Sequence, residues 1–210
     1  MSYFSEVEYK PKSGQDLWFE KLYFDRWFKG MKGPILDLGC ATGNFIALNP
    51  QIIEGVESDP DSYKIAKERG FNVSMLDVEK EMDKLASAKY EGVYAKHIIE
   101  HLENPLNFLK QIKRILKPDG KAVILTPNCP FMLDHFWGDY THRRPFTRKS
   151  LGRICYDAGF SHIKIYEDFR CFPGLGRLMR TLHLKPETIR IFQSILGISG
   201  YALILEIINN

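Results

Sequence analysis

Short apolar runs with little polar alternation recur along this chain, and stretches with apolar residues at helical spacing lie between them. The runs are Pro34 to Leu38, Ile52 to Glu57, Phe71 to Leu76, Gly92 to Ala95 and Lys121 to Leu125, which read as parallel strands buried on both faces. Helices are predicted from Asp59 to Gly70, near Lys80 to Ala88 and from Pro105 to Leu116. For the first of these, Asp59 is the N-cap, Pro60 sits in the first turn and Gly70 is the stop. The turn Pro118-Asp119-Gly120 leads into the fifth strand. A helix near Lys149 to Ala158, a strand near His162 to Tyr166 and a last apolar run, Tyr201 to Ile208, complete the pattern. This β-α alternation predicts a doubly wound α/β fold with a mostly parallel sheet, helices on both faces and right-handed crossovers.

Three segments depart from that rhythm. Residues 15–29 carry Leu17, Trp18, Phe19, Leu22, Tyr23, Phe24, Trp27 and Phe28, an aromatic helix whose broad apolar face packs on the domain. Thr126 to Arg148 is rich in prolines, aromatics and polar groups, too rich for a plain linker. Residues 171–198 read as a helical insertion in which arginines stand among apolar residues, suited to the parent domain, a partner subunit or a lipid surface. A length of 210 residues with 44% hydrophobic content supports one elaborated domain. Its expected parts are a cap (1–32), a core (33–170), the insertion (171–198) and a last strand (199–210).

Charge excludes more than it suggests. The net charge is +3 and the basic residues are dispersed except at Arg143-Arg144 and Arg148-Lys149, so no nucleic-acid partner is expected. Cys40, Cys129, Cys155 and Cys171 form no Cys-x-x-Cys pair, and reduced thiols fit a cytoplasmic protein. The first residues have neither a basic start nor an apolar run, and no stretch is long enough to span a bilayer.

The chemistry is concentrated at strand ends. Ile35-Leu36-Asp37-Leu38-Gly39-Cys40-Ala41-Thr42-Gly43-Asn44 is a buried strand followed by a glycine turn that lets a ligand approach the backbone. Glu57 ends the next run 18 residues past Gly39, about where a nucleotide-binding α/β fold keeps the acid that accepts ribose hydroxyls. A dinucleotide fingerprint is incomplete, because Ala41 and Asn44 occupy its second and third glycine positions. A Walker loop fails as well, since Asn44-Phe45 follows Gly43.

Leu36-Asp37-Leu38-Gly39-Cys40-Ala41-Thr42-Gly43 resembles the first motif of the class I S-adenosylmethionine-dependent methyltransferases, with Ala41 in place of the middle glycine. The resemblance implies a Rossmann-like seven-stranded sheet with an antiparallel last strand and S-adenosylmethionine as cofactor. It implies cofactor contacts from Asp37, Gly39, Cys40, Ala41, Gly43, Glu57 and Ser58. It also implies an adenine-binding Asp77 with Val78 beside the ring, although Asp77 also reads as a plain N-cap. Lys96-His97-Ile98-Ile99-Glu100-His101-Leu102 is similar to the family's Glu-His-Leu segment after strand four, which adds Lys96 and His97 to the cofactor side. His97-x-x-Glu100-His101 matches an inverted zinc-peptidase pattern too, but that pattern needs a long helix and a third ligand downstream, and Asn104-Pro105 interrupts.

Asp139-Tyr140-Thr141-His142-Arg143-Arg144-Pro145-Phe146 resembles an Asp-x-Thr-His-x-Arg-Pro-Phe segment of a subset acting on small molecules and glycans. It implies His142 or His101 as the base, with Asp139, Arg144 and His135 facing the acceptor, and O-methylation as the reaction. The residue types suit a polar acceptor. An internally bonded loop, Asp139 to Arg144 or His142, is the alternative. Asp134, His135, Asp139 and His142 match no standard metal spacing, so no metal is expected. A cofactor-binding subunit without catalysis, acting through 171–198 in regulation or assembly, is the competing function; a homodimer or a surface contact through 171–198 is the expected macromolecular partner. An NAD-linked oxidoreductase shares the Glu57 argument and fails on the glycines.

Overall fold

The computed structural model describes residues 14–129, 131, 133–168, 181, 182, 188 and 200–210. The insertion expected at 171–198, Cys171 included, lies almost wholly outside them. In chain order the elements are α1 (Gly14–Trp27), β1 (Ile35–Leu38), β2 (Ile53–Glu57), α2 (Pro60–Glu68), β3 (Val73–Met75), β4 (Tyr90–Lys96), α3 (Pro105–Ile115), β5 (Leu116–Pro127), α4 (Leu133–Trp137), α5 (Arg148–Asp157), β6 (His162–Glu167) and β7 (Ala202–Ile208). One seven-stranded sheet runs in the order β3-β2-β1-β4-β5-β7-β6. Its first five strands pair in parallel, and β7 pairs antiparallel with both β5 and β6. The doubly wound fold with an antiparallel last strand is therefore present.

Neighbouring residues of the central strands point into two cores. Leu36, Leu38, Val93, Ala95, Ala122, Ile124, Leu203, Leu205 and Ile207 join one cluster with α3 and α5. Ile35, Tyr94, Val123, Leu125 and Ile204 join the other, with Tyr23, Trp27 and Phe28 at the amino-terminal side. A strand sandwiched this way needs apolar residues on both faces, which explains the unbroken apolar runs. Helix α3 buries Phe108, Leu109, Ile112 and Ile115 on one stripe, and the Asn104 side chain caps it by accepting from Asn107 N–H at 3.0 Å. Helix α2 starts as its sequence predicts, with Asp59 accepting from Ser62 N–H at 2.9 Å.

Two local expectations are corrected. Between Lys80 and Ala88 there is only a 3-10 turn, Met82–Lys84. Arg114 of α3 takes the Met82 and Leu85 carbonyls at 2.6 and 2.8 Å, acceptors that an α-helix would keep for its own ladder. Strand β5 also begins earlier than Lys121: Leu116 already pairs with Tyr90, and the register shifts before Gly92 meets Lys121. Asp119 carries the turn between them at a φ of 61°.

The amino-terminal helix packs on one sheet face and is clipped there by polar contacts. Glu20, 4% exposed, accepts from Tyr94 Oη at 2.9 Å and from the Lys96 ammonium at 2.5 Å. Tyr23 Oη donates to Asp168 at 3.2 Å, and Trp27 Nε1 donates to Glu206 at 3.2 Å. Helix α1 therefore spans from the carboxyl end of β4 to β7, beside the crevice described next.

Candidate active site

The order β3-β2-β1-β4-β5 reverses direction between β1 and β4, and such a switch point opens a crevice at the carboxyl ends of the strands. Residues implicated on sequence collect there. The chain leaves β1 through Gly39, at a φ of 67°, Ala41, at 48°, and Gly43, at 81°. The glycines reach the left-handed region without strain, whereas Ala41 is held in it at a cost of ~1–2 kcal/mol. A Cβ on Gly39 would stand 2.3 Å from Ile98 Cδ1. That tip can move, so the left-handed φ is the stronger reason for glycine here.

Glu57, at the end of β2, is what holds Ala41. One carboxylate oxygen accepts Ala41 N–H at 2.7 Å, and the other accepts Ser58 and Asp59 N–H at 2.8 and 2.9 Å. Burial pushes the Glu57 carboxyl above the ordinary glutamate range, and the three N–H donors offset part of that rise. Asp37 is buried at the end of β1, 4% exposed. Cys40 is buried as well; burial first, then the Asp37 and Glu57 carboxylates, push its thiol up, so it stays protonated. Asp77 follows β3, where its carboxylate accepts Glu79 N–H at 2.8 Å and lies 3.2 Å from Lys80 Nζ. Val78 packs on the main core. The acid is thus a turn-former at the strand end, and the helix it was expected to cap is absent, replaced by the 3-10 turn at Met82–Lys84.

After β4 the chain turns through His97, whose φ is 55°. The Lys96 ammonium points to Glu20 of α1. His97 Nδ1 lies 3.1 Å from Glu100 Oε1, and Thr126 Oγ1 of β5 donates to Glu100 Oε2 at 3.1 Å. Glu100 itself is fully buried. Its peptide carbonyl accepts Arg143 and Arg144 N–H at 2.9 and 3.1 Å, which stitches the segment after β4 to the proline-aromatic segment after β5. That segment is anchored by Phe146, buried in the core and bridged to Asn128.

The stitch brings two histidines together, with ring centroids 4.6 Å apart and planes tilted by 53°. His142 stacks on Phe136 at 4.4 Å, and its Nδ1 lies 2.7 Å from the Phe136 carbonyl. A carbonyl only accepts, so His142 Nδ1 carries the proton and Nε2 keeps the lone pair when the ring is neutral. Thr141 Oγ1 donates to Asp139 at 2.6 Å and lies 3.0 Å from His101 Nδ1. Its single hydrogen is spent on Asp139, so His101 Nδ1 donates to Thr141 and His101 Nε2 is likewise free. Burial lowers the His101 pKa, Glu100 partly restores it, and His142 lowers it again, which favours the neutral ring. Asp139 is held below the ordinary aspartate range: burial pushes it up, but the Thr141 hydroxyl and amide, then the two imidazoles, outweigh this.

Arg144 donates to the Glu103 carbonyl at 3.1 Å, so an Asp139–Arg144 lock does not form, whereas Asp139 and His142 do meet: His142 N–H donates to the Asp139 carbonyl at 3.2 Å, and His142 Nε2 lies 3.9 Å from Asp139 Oδ2. His135 falls in α4, and its side chain lies outside the described residues. Glu100, Thr126, Thr141 and Glu20 are the partners sequence reasoning left out of the site. Thr141, two residues past Asp139, had a local signal, because an Asx turn favours that spacing, and Glu100 had one in the Glu-His-Leu segment.

The profile of a methyltransferase domain family matches residues 16–165. The chain belongs to the class I S-adenosylmethionine-dependent methyltransferases. It is 33% identical over 103 residues to a ubiquinone biosynthesis O-methyltransferase of Rickettsia conorii, a match covering 45% of this chain and 35% of that protein. It is 32% identical over 140 residues to an uncharacterised protein of Methanocaldococcus jannaschii, covering 63% of this chain and 67% of that one. The chain thus spans about two fifths or less of the first of these relatives. Among solved structures, an S-adenosylmethionine-dependent methyltransferase from Archaeoglobus fulgidus superposes with a TM-score of 0.75 at 24% identity, over 99% of this chain and 100% of that one. Phosphoethanolamine N-methyltransferase 2 of Haemonchus contortus, bound to S-adenosylmethionine, gives a TM-score of 0.66 at 15% identity, over 91% and 52% of the two chains. Among the described residues no helix is long and apolar enough to cross a membrane.

Proposed function

We propose that this protein transfers a methyl group from S-adenosylmethionine to a hydroxyl of a small molecule or glycan. The observation that carries the reading is the crevice at the switch point: a glycine turn and a strand-end glutamate at one end, and two imidazoles with unspent Nε2 lone pairs at the other. The residues fit the cofactor. A turn without Lys or Arg suits a ligand that has no phosphate, and Glu57, with three of its roughly four lone-pair sites used, has acceptor capacity left for a ribose hydroxyl. In the same reading Asp77 takes the adenine amine, and Gly39, Cys40, Ala41, Gly43 and Ser58 offer backbone.

S-adenosylmethionine when bound supplies a methyl on a sulfonium, already a good leaving group. The work left to the chain is alignment and activation of the acceptor oxygen. His101 and His142 are the activating groups, with Nδ1 of each fixed and Nε2 turned to the acceptor. Asp139, through Thr141, orients His101, and Arg144 is assigned to the acceptor side. Relatives named for O-methylation in ubiquinone biosynthesis support oxygen as the methylated atom. We further assign one domain, with α1 as a cap, and a cytoplasmic setting that suits three buried free thiols.

Thermal unfolding with S-adenosylhomocysteine, compared against NADH, tests the cofactor. Ligand at a hundredfold over its dissociation constant raises stability by about 2.7 kcal/mol, a shift of several degrees. A shift with NADH alone overturns the reading. An acceptor screen with methyl-labelled S-adenosylmethionine follows.

A further inference from the structure

Glu100 is a fully buried carboxylate, and among the described residues no lysine or arginine pairs with it. Its two oxygens meet His97 Nδ1 and the Thr126 hydroxyl, both at 3.1 Å. Buried carboxylates are ordinarily neutralised by a cation or bound to a metal. Beside it stand His101 and His142, and one donor atom from each of these three residues lies within 4.8 Å of the other two.

The hydrogen inventory shows which atoms the imidazoles offer. His142 Nδ1–H donates to the Phe136 carbonyl, and His101 Nδ1–H donates to Thr141, whose own hydrogen goes to Asp139. Metal-bound histidines characteristically spend their second nitrogen in this way, on a carbonyl or on a carboxylate-linked group, which fixes tautomer and ring direction. The same bookkeeping leaves both Nε2 lone pairs without a hydrogen.

We propose that Glu100, His101 and His142 form a site for a divalent first-row cation of the zinc class. Two imidazoles and one carboxylate are the donor set that holds such ions with a position left open. Glu100 and His101 come from the segment after β4, and His142 supplies the third donor from the segment after β5. Tetrahedral coordination at the usual bond lengths separates donors by roughly 3.3 Å, so the site closes by up to roughly 1.5 Å around the ion. The open position takes the acceptor's oxygen, whose hydroxyl then yields its proton to solvent more readily, as metal-bound water does. The inference deepens the proposed function and rests on reading this end of the crevice as the acceptor's: the imidazoles activate the oxygen through the cation they hold.

The test uses the full chain, freed of metal with EDTA and titrated with Co2+ alone. The expected result is a visible absorption several-fold stronger than that of the aquo ion, saturating at one equivalent and discharged by Zn2+. His142→Ala and Glu100→Gln abolish it. Each variant is checked for folding by its thermal shift with S-adenosylhomocysteine, so a Glu100→Gln protein that fails to fold leaves His142→Ala to decide. An aquo-like spectrum in the parent protein, or an intact spectrum in folded His142→Ala, overturns the site. S-adenosylhomocysteine binding without the cobalt spectrum overturns the cation site alone; the cobalt spectrum without S-adenosylhomocysteine binding overturns the methyltransferase reading and leaves the cation site standing.

Discussion

Glu57→Gln keeps the side chain's shape and removes one acceptor. In the parent protein one oxygen serves Ser58 and Asp59 and the other serves Ala41, all between 2.7 and 2.9 Å. A carboxamide has a single oxygen, so whichever way it turns its NH2 faces at least one backbone N–H. The variant forfeits a charge-assisted bond worth ~1.5–3 kcal/mol and leaves a buried donor unanswered, at ~1–3 kcal/mol. Two effects return part of this. The neutral side chain escapes the desolvation that raises the Glu57 pKa, and Ala41 becomes free to leave its left-handed φ, which costs ~1–2 kcal/mol to hold. The net loss is about 2 kcal/mol, which lowers Tm by roughly 4–8 °C in a chain of this size. The strain makes a second, sharper expectation. Ala41→Gly is itself stabilising by about 0.5–1 kcal/mol, the relieved strain less the entropy a glycine adds to the unfolded chain. In that background Glu57→Gln costs about 1 kcal/mol more, because no strain is left to release. Thermal and urea unfolding of the four proteins measures both numbers. A Glu57→Gln protein that melts with the parent, or a cycle without coupling, refutes the claim that Glu57 holds Ala41.

Three further outcomes follow from the same geometry. Lys96→Met strips the ammonium from Glu20, whose side chain is 5% exposed, and destabilises by about 3–5 kcal/mol, whereas the double Glu20→Met, Lys96→Met variant recovers most of the loss; urea midpoints read both, and equal losses refute the ion pair. Gly39→Ala places a Cβ at a φ of 67° against Ile98, a movable tip, so backbone strain of ~1–2 kcal/mol dominates, and the S-adenosylhomocysteine thermal shift shrinks with it. Thr141→Val removes the hydroxyl that helps hold Asp139 below its ordinary pKa of 3.8; that carboxylate contributes stability above the unfolded value, lost as pH falls through the lowered folded one. The variant is therefore less stable than the parent at neutral pH, and the gap narrows in strong acid. A gap that does not change with pH, measured by urea unfolding, counts against the assignment.

Much of the site was readable before folding because its parts are local. Gly39 and Gly43 mark a turn off a strand, Glu57 sits at a strand end, and Asp59 caps the helix that its neighbours predict. What was not readable has a common cause. Lys80 to Ala88 has helix-forming residues, but Arg114, about thirty positions away, takes its carbonyls. The partner of the Lys96 ammonium, Glu20, lies 76 positions earlier, and no local pattern announces it.

By itself, then, the sequence determined the doubly wound architecture, the glycine turn and the acids at the ends of β2 and β3. Those features depend on the local periodicity of apolar residues and on turn and cap chemistry that acts within a few residues. Only the tertiary structure decided that His101 meets His142, that Thr141 stands 40 positions from the imidazole it orients, and that a buried Glu100 completes the group. The backbone bonds from Arg143 and Arg144 to the Glu100 carbonyl set that register. Any residue pair can make such bonds, since every non-proline residue carries the same donor and acceptor, so no side-chain pattern announces them.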